Sequence, residues 1–152
     1  MEEFILIQHA SGAPGLRLFG LGPKLSPHRG IKKLQTLLEA NTTWANQRSR
    51  KDIKQMLCSS DVVVSVWKGA RLIGFGRATS DKVYRAVLWD VVVERKHQES
   101  GIGKKIIKSL LSNQLISKVE RIYLMTTKFE RFYCKMGFKI NTSQKLMYLE
   151  NK

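Results

Sequence analysis

Between an apolar strand-like run and an amphipathic helix, the sequence carries Gln98-x-x-Gly101-x-Gly103, followed by Lys104 and Lys105. Glycines let the main chain come close to a ligand, and the first N–H groups of a helix have no partner within it. With the helix dipole they make a site for an anion such as a pyrophosphate. The spacing is neither the dinucleotide fingerprint Gly-x-Gly-x-x-Gly nor a phosphate loop ending in Gly-Lys-Ser/Thr. Two glycines before a helix can also be a plain turn. The strand before and the lysine pair after favour the anion site.

Asp90 is the one polar residue in the course of that apolar run. A carboxylate inside an apolar strand is expected to have a raised pKa, which suits a base. The alternative is a structural partner for Arg77 or Arg85. Further on, Phe129, Phe132, Tyr133 and Met136 repeat at i, i+3, i+4, i+7, and Gly137 ends the pattern. Tyr133 could serve as a proton donor, but such a stripe can equally be ordinary core. His9, His28 and His97 are scattered and form no metal set. Cys58 and Cys134 offer no metal spacing and read as two reduced, half-buried thiols. Cys134 points about 100° away from Tyr133 on a helix, which makes it a poor nucleophile candidate.

The elements that must position these groups follow from periodicity. Residues 1–30 are rich in Gly and Pro, so turns dominate, with Leu16-Arg17-Leu18-Phe19 as a short strand candidate. A first helix is predicted over 31–40, burying Ile31, Leu34, Leu37 and Leu38. A second starts near Ser49, with Asp52 three residues on in the manner of a capping box. Residues 62–67 are β-branched and short, a buried strand. Residues 71–79 return, with Gly74 and Gly76 where something packs close. Residues 84–93 carry apolar side chains on both faces, which argues for a central strand. The amphipathic helix that follows the Gln98 loop buries Ile102, Ile106, Ile107, Leu110 and Leu111. A strand over 121–125, the Phe-Tyr helix and two closing strands at 138–140 and 146–149 complete a mixed α/β domain.

Composition sets outer limits. The 152 residues suffice for one core, and 43% hydrophobic with 26% charged residues is a globular balance. No apolar run approaches the roughly 20 residues that span a bilayer. The start lacks the basic residues and longer apolar stretch of a secretory signal, so a cytosol or similar reducing compartment is expected. The 27 Lys+Arg against 12 Asp+Glu give a formal charge of +15. That charge suits nucleic acid, a polyanionic cofactor or a general surface habit. The basic residues are spread without a dense block, so nucleic acid is not favoured.

The strand, Gln-x-x-Gly-x-Gly, helix, and then Phe132-Tyr133-Cys134-Lys135-Met136-Gly137-Phe138 together resemble the GNAT N-acetyltransferase superfamily. Residues 71–81 and 88–93 are similar to the cyanobacterial and plastid acetyltransferases related to plant serotonin N-acetyltransferase. The resemblance covers roughly 49–138. It implies a single α/β domain over 1–152, with 1–30 poorly matched. The expected sheet is mixed, mostly antiparallel, with six or seven strands, flanked by about four helices. In that family the strand before the loop splays from its neighbour and offers main-chain groups to an acetyl thioester, here at Val91, Val92 and Val93. Gln98, Glu99, Ser100, Gly101, Ile102, Gly103 and Lys104 would hold the pyrophosphate. Tyr133 would stand by the sulfur as the acid, with Asp90 as the base or amine anchor. Many members carry Asn or Asp in the loop before the Phe-Tyr helix; here Thr126-Thr127-Lys128 replaces it. Thr126 and Thr127 would then offer hydroxyls in its place, and Lys128 would face the CoA phosphates.

The resemblance implies acetyl-CoA as co-substrate, no metal, and transfer to a primary amine by direct attack. The acceptor is left open between an arylalkylamine such as serotonin and a protein lysine or N-terminal amine. A non-catalytic acyl-CoA-binding regulatory module is the alternative. The expected setting is a bacterial cytosol or plastid stroma, with no membrane partner and a homodimer left open.

Overall fold

The computed structural model describes residues 3–12 and 29–151. Five strands form one sheet in the order β1-β2-β3-β4-β5. They are β1 (Ile5–His9), β2 (Val62–Lys68), β3 (Arg71–Ser80), β4 (Arg85–Val93) and β5 (Arg121–Tyr123). The first four run antiparallel and β5 joins β4 in parallel. The β2–β3 turn uses Gly69 at φ +56°. In the β3–β4 turn, main-chain N–H groups of Arg85 and Val83, and then of Tyr84, hold the Asp81 carboxyl below the ordinary carboxylate pKa.

Helices cover both faces, as the apolar character of β2 to β4 on both sides requires. On one face lie α1 (Gly30–Asn41) and α2 (Arg50–Cys58). Their Leu34, Leu38, Ile53 and Leu57 pack with Trp67 and Phe75. The α2 start is capped by Ser49, whose hydroxyl accepts from the Asp52 N–H at 3.0 Å. On the other face lies α3 (Ile102–Ser112), whose Ile102, Ile106, Ile107 and Leu110 pack with Ile73, Ala78 and Leu88. The short α4 (Gln114–Ser117) and α5 (Glu130–Lys135) extend that layer. A buried trio ties β1 to β2: the Ser65 hydroxyl lies 2.7 Å from His9 Nε2 and accepts from Trp67 Nε1 at 2.7 Å.

The fold differs from the sequence reading in several places. There are five strands and five α-helices among the described residues, not six or seven and about four. β1 and α4 were not foreseen. The strand expected at 16–19 lies outside the described residues. The closing strands at 138–140 and 146–149 do not form, and residues 139–151 are exposed throughout. Both cysteines are free and exposed, not half-buried.

Candidate active site

β4 carries the first part of the site. It pairs with β5 only from Arg85 to Val87, opposite Arg121, Ile122 and Tyr123. Past Val87 the two strands part, and that edge of residues 88–93 has no strand partner among the described residues. Apart from the Val93 carbonyl, which accepts from Gln98 Nε2, its outward N–H and C=O groups have no strand to pair with there. On the opposite edge the ladder to β3 is irregular between Phe75 and Arg77. There Asp90, at φ +52°, and Val91 stand across from Gly76 as a β-bulge. Gly76 has a steric reason. A Cβ there would lie 2.7 Å from an Ile106 methyl group and 3.5 Å from one of Val91. The close packing expected at Gly74 and Gly76 is therefore α3 lying on β3.

Asp90 is a buried carboxylate, its side chain 5% exposed, held by two guanidiniums. Arg77 Nε donates to Oδ2 at 2.8 Å and Arg48 Nη1 donates to the same oxygen at 3.0 Å. Oδ1 takes no hydrogen bond among the described residues. Burial pushes the carboxyl upward, but the hydrogen bonds and charges of Arg48 and Arg77 outweigh it and hold the pKa below the ordinary value. The raised pKa expected from an apolar strand setting is thus corrected, because two guanidiniums share the carboxylate. Of the two structural partners considered, Arg77 is present, whereas Arg85 pairs with Glu120 at 2.7 Å. Arg48, on the loop between α1 and α2, was not foreseen, since nothing within its own segment marks it. A left-handed φ on a non-glycine residue costs about 1–3 kcal/mol, and the two ion pairs hold Asp90 in it.

The second part is the loop leaving β4. A short 3-10 turn (Arg95–His97) leads to Glu99 at φ +63° and Gly101 at φ +87°, where α3 begins. Gln98 Nε2 donates to the Val93 carbonyl at 3.0 Å, and the Arg95 N–H donates to Asn41 Oδ1 at 3.0 Å. His97 Nδ1 lies 2.9 Å from Glu94 Oε2, and Glu94 also pairs with Arg71. Ser100 Oγ donates to the His97 carbonyl. The first intrahelical contact is the Lys105 N–H to the Gly101 carbonyl at 3.1 Å, so the N–H groups of Ile102, Gly103 and Lys104 precede the helix's own ladder. These are unspent donors on a tied-down backbone, suited to phosphate oxygens.

The third part is α5. A Cβ on Gly103 would lie 3.4 Å from Phe132 and 3.8 Å from Val93, so the loop, the end of β4 and α5 meet there. Tyr133 follows Phe132 and is partly buried, in edge contact with Phe132 at 5.0 Å and Phe138 at 5.8 Å between centroids. Its hydroxyl makes no hydrogen bond among the described residues. Burial raises its pKa above the ordinary phenol value, which keeps its proton on at neutral pH. At the start of α5, Thr126 Oγ1 accepts from the Phe129 N–H at 3.1 Å. Thr127 is exposed, and Lys128 Nζ lies 5.6 Å from the Phe129 ring centroid.

The fold thus gathers Val93, Gly103 and the Tyr133-bearing helix, which the sequence singled out separately. Asp90 and Arg48 lie on the side of the sheet where α1 and α2 pack, while the glycine loop opens into α3 on the other. The fold also concentrates charge that looked scattered along the chain. Arg29, Lys32, Lys33, Lys68 and Arg71 line a cleft of about 640 Å³ between the start of α1 and the β2–β3 turn, with Glu94 its one acidic residue.

A sheet with a central strand parting from its parallel neighbour, and a glycine-started helix at that parting, defines an α/β acyltransferase-type fold. The family model described as "Acetyltransferase (GNAT) domain" matches residues 59–140, and the chain belongs to that family. It is 33% identical over 97 residues to an uncharacterized N-acetyltransferase, ycf52, of Pyropia yezoensis, covering 60% of this chain and 56% of that protein. It is 39% identical over 70 residues to the histone acetyltransferase TAP1 of Glycine max, covering 45% and 30%. The match to the ycf52 relatives spans about half their length. An acetyltransferase of the GNAT family from Streptococcus pneumoniae shares the fold at TM-score 0.72 and 17% identity, over 99% of this chain and 100% of that one. Among the described residues no helix is long and apolar enough to cross a membrane, and no group of three or more His, Cys, Asp or Glu is placed to hold a metal.

Proposed function

We propose that this chain is an acetyl-CoA-dependent N-acetyltransferase that moves an acetyl group onto a primary amine by direct attack. The observation that carries the reading is the open edge of residues 88–93 beside the unspent helix N–H groups after Gly101. The donor set fits the co-substrate: N–H groups and lysines for phosphates, then a main-chain edge for an extended arm. Acetyl-CoA brings an activated thioester; the chain's own groups do the rest. The N–H groups of Ile102, Gly103 and Lys104 bind the pyrophosphate, flanked by Gln98, Glu99, Ser100 and Gly101, with Thr127 and Lys128 at the far side. Val91, Val92 and Val93 line the arm, and an N–H of Val92 or Val93 holds the negative charge that develops on the acetyl oxygen.

An alkylamine has a pKa of roughly 10 and must be neutral to attack. Asp90, held ionised by two arginines, is a weak base but a good acceptor. Its unclaimed Oδ1 anchors an amine N–H and orients the lone pair, while the proton passes to solvent. Tyr133 keeps its proton and delivers it to the leaving thiolate. The similarity to the soybean histone acetyltransferase supports a protein lysine as acceptor, and the resemblance to serotonin acetyltransferases supports an arylalkylamine. A thiol-release assay with acetyl-CoA against lysine peptides, serotonin, tryptamine and polyamines tests the reading. Release with at least one amine, lowered in Tyr133→Phe and Asp90→Asn, is expected. Thermal stabilisation by acetyl-CoA without release under any amine would instead make the chain a binding module.

A further inference from the structure

The two guanidiniums on Asp90 are not equivalent. Arg77 is engaged on several sides. Besides its Nε bond to Asp90, its Nη1 donates to Ser60 Oγ at 3.4 Å, and the group lies 5.6 Å from the Trp89 ring centroid. Arg48 keeps donors in reserve. Its Nη1 serves both Asp90 Oδ2 at 3.0 Å and Met56 Sδ at 3.5 Å, while Nε and Nη2 make no hydrogen bond among the described residues. A guanidinium carries five N–H donors in a rigid fork, so most of the Arg48 fork is left for something else. Its side chain is 31% exposed against 14% for Arg77, so a ligand can reach it.

The backbone holds Arg48 in a fixed direction. Gln35 of α1 donates from Nε2 to the Arg48 carbonyl at 2.9 Å, and the Ser49 cap of α2 follows at once. Gln47, just before Arg48, has φ +64°, as Asp90 has φ +52°. Left-handed non-glycine residues persist where their surroundings fix them, and they cluster at functional sites. Here they stand at both ends of one ion pair. That pair is also unbalanced: one carboxylate faces two cations, so the cluster keeps a net positive charge. No second carboxylate pairs with Arg48 or Arg77 among the described residues, and residues 13–28 contain no Asp or Glu. The chain's formal charge of +15 acts in the same direction, drawing in anions and turning away polycations.

Resting on the acetyl transfer proposed above, we propose that the acceptor is a primary amine that also carries a carboxylate or phosphate, and that Arg48 binds this anion while Asp90 Oδ1 holds the amine. Oδ1 and the Arg48 fork meet on a single carboxyl group, so a ligand that uses both needs only a short spacer between its amine and its anion. Amino acids and aminoalkyl phosphates have that spacing, and a peptide lysine beside an acidic residue presents the same two groups at a longer reach. A planar guanidinium matches two oxygens of a carboxylate or phosphate at once. Bound in this way, the anion balances the surplus charge of the cluster. Polyamines, which bring only further positive charge, are poor acceptors on this account.

Thiol release from acetyl-CoA on matched amines tests this. The pairs are tryptophan against tryptamine, O-phosphoethanolamine against ethanolamine, and a blocked lysine peptide with Glu beside the lysine against the same peptide with Gln. The parent chain should favour the anionic member of at least one pair on the order of 10- to 100-fold in kcat/KM, as a charge-assisted hydrogen bond allows. The pair that shows it names the source of the anion. In Arg48→Gln the preference should largely disappear, and in Arg48→Lys, which keeps the charge but loses the fork, it should be intermediate. The intrinsic reactivity of each amine is the same for parent and variant and cancels in that comparison. A parent that treats both members of every pair alike or favours the neutral one, or a preference untouched by Arg48→Gln, would overturn the proposal while acetyl transfer stands. No release with any amine would remove acetyl transfer itself and this proposal with it. The ranking by the parent needs no variant, so a misfolded Arg48→Gln does not shelter the idea.

Discussion

Replacing Asp90 by Asn keeps the shape and an acceptor oxygen but removes the charge shared by Arg48 and Arg77. Breaking a buried ion pair typically costs about 3–5 kcal/mol, because the remaining charge is left without a counterpart. Here Arg77 is 14% exposed and Arg48 31% exposed, so water recovers part of that loss. A destabilisation of about 2–3 kcal/mol is expected at pH 7. For a chain of this size that is a fall of about 5–10 °C in melting temperature. The pH dependence supplies a sharper check. The folded carboxyl sits below its ordinary value, so its stabilisation is complete above the unfolded pKa of about 3.9 and disappears as pH falls through the folded value. The gap between parent and variant should therefore hold from pH 7 down to about 5 and close below that range. Melting followed by circular dichroism from pH 3 to 8 reads both effects. A variant as stable as the parent at pH 7, or a gap that widens in acid, would refute this description of Asp90.

Gly76→Ala forces a methyl group to within 2.7 Å of Ile106 and should cost about 1–3 kcal/mol by chemical denaturation, while Ser49→Ala, which removes a helix cap, should cost about 1 kcal/mol. Tyr133→Phe should lower kcat on the order of 10²-fold with KM for acetyl-CoA little changed, measured by thiol release. Because burial raises the Tyr133 pKa, the parent should keep that activity up to about pH 10, and loss by pH 9 would contradict the role. Gly101→Ala places a side chain at φ +87° and should weaken acetyl-CoA binding measured by calorimetry, with a stability loss of about 1 kcal/mol.

Local signals were legible and distant ones were not. Ser49 and Asp52 announce α2 because a cap is written within four residues. The apolar set of α3 is written in its own spacing, and so are the glycines that let it approach β3. Arg48 reaches Asp90 from 42 positions away, and only the packing of α1 and α2 brings it there. Arg77 is legible as a possible partner, but the second guanidinium that helps hold the carboxyl low is not. β1 escaped notice because its strand character comes from pairing with β2, more than 50 residues on, and not from Ile5 to His9 alone. Residues 146–149 show the converse: strand propensity is plain in Leu-Met-Tyr-Leu, but a strand exists only where an edge receives it. The glycine loop and the Phe-Tyr helix of the candidate site are each written in local spacing. The contact between them at Gly103, Phe132 and Val93 is not, because it is made by three separate elements.

The proposed grip of main-chain amides on a CoA diphosphate can be tested amide by amide. In a ¹⁵N-labelled sample titrated with acetyl-CoA, the largest shifts should fall on Gly101, Ile102, Gly103 and Lys104, with a second group at Val91 to Val93. Saturating acetyl-CoA that leaves those resonances in place would contradict it.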